Sequence, residues 1–143
     1  MRRALLAILV LSFGLSVLQG QTGQAHSPKI YVAPLESTVQ GLADMVRAKL
    51  ISHLVKHGLT VVESEEKADA ILTGDGLMQG STNEYGHTHY RLHAGMRLVS
   101  KAETVIWADD VASGRFAQSA SSSFAENVAK SIEDALSAKS EKQ

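Results

Sequence analysis

The chain predicts an α+β fold: a single two-layer domain whose mixed β-sheet, in the element order β-α-β-β-β-β-α, carries its helices on one face. Three features of the sequence lead there. Apolar residues recur at three- and four-residue spacing from Leu42 to Leu54 and again from Ala125 to Leu136, as the buried stripe of a helix requires. From His87 to Val99 the period is two, the mark of a strand with one wet face. Short β-branched runs flank the first helical segment, the layout of a parallel strand-helix-strand unit.

Each element has a local reason. Lys29 to Leu35 is almost continuously apolar, as a strand buried on both faces would be, and Pro34 ends it because proline cannot donate to a ladder. Ser37 to Gln40 has the spacing of a capping box, so a helix is expected to follow directly. Leu42, Met45, Val46, Leu50 and Leu54 form its stripe. Lys56 and His57 suit its negative carboxyl end, and Gly58 stops it. Leu59 to Val62 is a second short strand, and Glu63 to Asp69 a charged connector. Ala70 to Met78 opens a third strand, which Gly74 and Gly76 are expected to weaken or bend, and Ser81 to Gly86 reads as a loop.

In the long alternating segment Tyr90, Leu92, Ala94, Met96 and Leu98 share one face; His87, His89, Arg91, His93 and Arg97 share the other. The first set is expected to face the helices and the second solvent. Ser100 to Glu103 can close a hairpin onto Thr104 to Ala108. A second capping box, Ser123 with Glu126, is expected to start the last helix, whose stripe is Ala125, Val128, Ala129, Ile132 and Leu136. The tail from Lys139 is expected to fray.

The amino terminus speaks to location. Met1-Arg2-Arg3 precedes an apolar run from Ala4 to Leu18, then a polar stretch ending in small residues, which is the pattern of a secretory signal peptide. Cleavage is expected after Ala25, with Gly20 as the alternative, leaving residues 26–143 as one periplasmic or secreted domain. Of 143 residues, 118 would remain, enough for one self-supporting core. Losing Arg2 and Arg3 from the 14 basic residues leaves 12 against 15 acidic ones. That balance argues against a nucleic-acid partner or a polybasic lipid patch. With no cysteine there is no disulfide and no acceptor for a lipoprotein anchor, and no apolar stretch after Ala25 approaches the ~20 residues of a membrane span.

Ile30-Tyr-Val-Ala-Pro34, Gly58-Leu-Thr-Val-Val62, Ala68 to Gly74, Met96 to Val99 leading into Val105-Ile-Trp107, and the alanine-rich last helix together resemble a group of bacterial envelope proteins. That group includes CsgG, the amino-terminal domain of TolB, and LpoB. Its members are often lipoproteins and tend to carry a glycine in the turn where this chain has Ala102-Glu103. The resemblance implies a non-catalytic domain that contributes to envelope assembly or binds another protein, and it transfers no functional residue. The expected partners are envelope proteins or further copies of the chain, and no cofactor is expected.

The residues themselves offer one sharper possibility. His87 and His89, two apart on a strand, would point the same way about 6.6–6.8 Å apart and could share a Zn²⁺ or Cu²⁺ ion. His26, as a free amino terminus after cleavage, could chelate copper. A third ligand would have to come from Glu84, Asp75 or a neighbouring strand, since His93 lies roughly 20 Å along the same strand. Against this, Arg91 and Arg97 on the same face oppose a cation, and a structural zinc site takes four ligands. Catalytic groupings are weaker still. The serines from Ser119 to Ser123 sit in no nucleophile turn, and Gly74-Asp-Gly76 lacks the lysine of a phosphate loop. Asp109 and Asp110, at the end of a strand, should point to opposite faces. Trp107 reads as core packing. The chain is expected not to be an enzyme.

Overall fold

A computed structural model of the protein describes residues 27–82, 84–86, 88–113 and 117–142. The order is β1 (Ile30–Val32), α1 (Leu42–Lys56), β2 (Val61–Val62), a 3₁₀ turn (Glu65–Lys67), β3 (Ala70–Thr82), β4 (Thr88–Ser100), β5 (Val105–Ala112) and α2 (Ala117–Ser140). One mixed five-stranded sheet runs β2-β1-β3-β4-β5. β1 is parallel to both neighbours, and β3, β4 and β5 are antiparallel. Both helices lie on one side, giving the expected two-layer α+β domain.

The alternation in β4 decides which side. Leu92, Ala94, Met96 and Leu98 are buried, while His93 and Arg97 are exposed. Directly opposed residues share a face, so the register carries this division across the sheet. Leu98 stands opposite Leu72 and Trp107, placing all three under the helices with Ile30 and Val32. From α1 come Leu42, Val46, Leu50 and Leu54; from α2 come Ala120, Phe124, Ala125, Val128, Ala129 and Ile132. Met45, assigned to the stripe of the first helix, is instead 44% exposed. It falls beside the contact line rather than on it.

Several boundaries differ from the sequence expectation. The first strand is not buried on both faces, because Tyr31 points to the helix-free side and is only half-buried. No capping box starts α1. The Ser37 hydroxyl accepts from the Val39 N–H at 3.1 Å, a local turn, and Gly41, left-handed at φ 77°, is the N-cap without a side-chain bond. Such a local side-chain bond competes with the cap. The carboxyl end of α1 is as read: Gly58, at φ 77°, donates to Val55 O and Leu59 N–H to Leu54 O, both at 3.0 Å. These two bonds make a Schellman cap, with buried Leu54 and Leu59 in its hydrophobic positions.

β3 does not break at its glycines. It pairs residue for residue with β4 from Ala70↔Ser100 to Thr82↔Thr88, so Ser81 and Thr82 are strand rather than loop. At Gly74 a Cβ would collide with Met96 Sδ; the missing side chain lets the fully buried Met96 lie across the strand. β5 likewise runs on to Ala112, putting Asp109 and Asp110 inside the strand, opposite Met96 and Gly95 and on opposite faces. α2 starts at Ala117, so Ser123 and Glu126 lie inside the helix and not at its cap. The burial of Ala120, Ser121 and Phe124 explains the extra turns. The helix also continues through Lys139, whose ammonium donates to the Ile106 carbonyl at 3.1 Å, so the expected fraying is not seen there.

The β4–β5 turn closes with Ser100 N–H to Thr104 O and Glu103 N–H to Ser100 O, both 2.9 Å. Glu103 takes φ 59° there, a left-handed conformation that a side chain disfavours. Replacing Glu103 with glycine removes that cost and is expected to stabilise the protein by up to about 1 kcal/mol, less the entropy glycine adds to the unfolded chain. Urea midpoints of the two proteins check it.

Candidate functional site

The suggested metal ligands are not brought together by any described contact. His26 and His87 lie outside the described residues, as does the side chain of His89; the His89 backbone in β4 stands opposite Ser81. Asp75 stands opposite Gly95, six ladder positions from His89, roughly 20 Å along the strand. It pairs instead with Arg97, at 3.8 Å. Glu84 is exposed in the turn between β3 and β4. Ser81, across the ladder, would supply neither an imidazole nor a carboxylate.

Two features do stand out, on opposite sides of the sheet. On the helix-free side, a row of apolar residues crosses every strand: Val62 beside Tyr31, Tyr31 beside Ile71, Ile71 beside Val99, and Val99 beside Val105. Val62, Tyr31, Ile71 and Val99 are half-buried, and Val105 is 52% exposed. A bulge between Leu98 and Val99 sets this register. It leaves Ile106 packed against the core and Val105 opposite Val99. Four residues further along β3 and β4, Asp75 and Asp110 flank Gly95. The Asp110 carboxylate leans in so far that a Cβ at Gly95 would lie 3.3 Å from its Oδ1. At the carboxyl-terminal end of β1 the Arg47 Nε–H donates to Val32 O at 2.9 Å, and its guanidinium sits 5.7 Å from the Tyr31 ring centroid. Among the described residues no helix covers this side.

The second feature joins the two helices. His53 and His57 are one turn apart on α1, and Glu126 and Glu133 are two turns apart on α2, so each pair occupies one helix face. His53 Nδ1 donates to Glu126 Oε2 at 2.6 Å. Both ring nitrogens of His57 face carboxylates, Nδ1 at 2.6 Å from Glu133 Oε2 and Nε2 at 3.1 Å from Glu126 Oε1. The imidazoles are largely shielded, at 17% and 16% side-chain exposure, while the carboxylates are 40% and 45% exposed. The hydrogen bonds from Glu133 and then Glu126 raise the His57 pKa above its ordinary 6.5, outweighing desolvation. Those from His53 and then His57 hold Glu126 below its ordinary 4.5.

Sequence reasoning used His57 only as a favourable charge at a helix end and Glu126 only as part of a cap. The paired spacings were visible. That they face one another, across 69 to 76 residues of chain, was not. Among the described residues no group of three or more histidine, aspartate or glutamate side chains is arranged to hold a metal ion, this one included. Trp107 has a structural partner too, its Nε1–H donating to Ser131 Oγ at 2.9 Å.

No protein-family model matches the chain, and no curated protein matches it. Solved structures do. A PelC dodecamer variant from Paraburkholderia phytofirmans superposes with a TM-score of 0.57 at 15% identity, over 76% of this chain and 87% of that one. A second crystal form of the PelC dodecamer gives 0.51 at 16%, over 76% and 85%. A minor lipoprotein from Acinetobacter baumannii gives 0.49 at 12%, over 80% and 95%. At these identities the PelC likeness establishes a shared fold: the chain has the architecture of a PelC subunit.

Proposed function

We propose that this is an exported, non-enzymatic domain of the bacterial envelope that works by associating with protein, first of all with further copies of itself, through the open face of its sheet. The observation that carries this reading is the apolar row from Val62 to Val105 on a side no described helix covers. Burying such a row against protein is favourable, and sheet faces of this kind serve as interfaces. The secretory pattern of residues 1–25 supports export. The resemblance of Ile30–Pro34 and the other short segments to CsgG, TolB and LpoB supports an envelope setting. The fold likeness to PelC, which is solved as a dodecamer, supports assembly as the mode of action.

Sedimentation velocity over a micromolar concentration series tests it. The protein is expected to form a discrete oligomer, and Val105→Asp to dissociate it while leaving the circular dichroism spectrum intact. Val105 is exposed in the single chain, so the change should alter monomer stability by no more than ~0.5 kcal/mol. A protein that stays monomeric throughout and recovers no envelope component from membrane extract would overturn the proposal.

A further inference from the structure

A neutral imidazole carries one N–H, yet His57 is placed to give one hydrogen bond from each ring nitrogen, both to carboxylates. The arrangement is complete only when the ring is the imidazolium. Its position reinforces this. His57 is the C-cap of α1, where the exposed carbonyls of the last turn favour a positive charge. Remove one proton and one ring nitrogen turns its lone pair toward a carboxylate oxygen, so an attraction becomes a repulsion between the two helices.

We propose that His57, held between Glu126 and Glu133, is a pH-sensitive clasp that fastens the carboxyl-terminal end of α1 to α2 in mildly acidic surroundings and loosens it in alkaline ones. The ionisable groups around it agree. From α1, His53 shares the Glu126 carboxylate and Lys56 adds positive charge near it. From α2 come the two glutamates, with exposed Lys130 between them in the helix and Lys139 already engaged by the Ile106 carbonyl. Beside the clasp lies an open cleft lined by Ser27, Pro28, Leu59 and Leu136.

The direction with pH follows from the two groups. A histidine whose pKa is raised on folding contributes stability that is complete below 6.5 and is lost as pH rises through its higher folded value. A glutamate whose pKa is lowered contributes stability above 4.5 that is lost as pH falls through its lower folded value. The clasp is thus fully closed between 4.5 and 6.5.

Thermal unfolding at about pH 5.5 and about pH 8.5 reads it out. The wild type is expected to melt higher at the acidic value, by about 2–4 °C. His57→Gln, which can make hydrogen bonds but carries no charge, should lose most of that difference. In the wild-type protein, a histidine NMR titration should place His57 above 6.5, and Glu133→Gln should move it down. A wild-type midpoint that is equal or higher at the alkaline value, a His57→Gln variant that keeps the full difference, or a His57 that titrates at or below 6.5 would overturn the clasp.

Discussion

Truncating Phe124 to alanine is expected to cost about 3–5 kcal/mol, and is the most damaging of the substitutions considered. Phe124 is the largest fully buried side chain among the described residues, at 1% exposure, and lies within the α2 stripe that packs on α1 and the sheet. Its removal leaves a ring-sized cavity between the layers, where Leu42 and Val46 of α1 and Leu92 of β4 border the ring. Urea unfolding measures the loss, provided the slope matches the wild type, since a changed slope would mean an altered denatured state or a lost two-state transition. A loss below about 1 kcal/mol would mean that α2 does not pack in this register.

Leu98→Ala should cost about 2–5 kcal/mol for the same reason, one layer down. Leu98 is fully buried on the helix side of β4, opposite Leu72 on one neighbour and Trp107 on the other. Its useful control is His93→Ala, on the solvent side of the same strand, which should stay within ~0.5 kcal/mol. Adjacent strand positions face opposite ways, so the contrast tests the register of β4 and not merely its existence. Leu92→Ala should fall toward the lower end of the range, because Leu92 keeps 8% exposure and lines a small surface depression with Leu35 and Leu42. Urea midpoints of the three variants settle the order. A His93→Ala loss exceeding that of Leu98→Ala would exchange the inside and outside of the sheet.

What the sequence determined by itself is what depends on residues close together in the chain. The period of two from Leu92 to Leu98 named the buried face of β4. The spacing of Leu42, Val46, Leu50 and Leu54 named the stripe of α1. Gly58 marked the stop of α1, because only a residue without a side chain takes φ 77° cheaply. Those local rules were enough for the α+β class and the order of its elements. They failed at Ser37, where a bond to the Val39 N–H two residues on replaced the cap, and elsewhere where a neighbour distant in sequence outweighed a local preference. Gly74 and Gly76 weaken an isolated strand, yet β3 runs through them because β4 pairs with it along its whole length and Met96 fills the space above Gly74. Ser123 and Glu126 spell a helix start, yet α2 begins earlier because burying Ala120 and Phe124 outweighs a cap. The same division separates the two functional features from the motifs legible in the chain. The apolar row joins residues from five strands, and the His57 clasp joins side chains 69 and 76 positions apart. Spacing along a chain carries no distance between such groups; strand register and helix packing set it, and both are decided only when the two layers close on a common core.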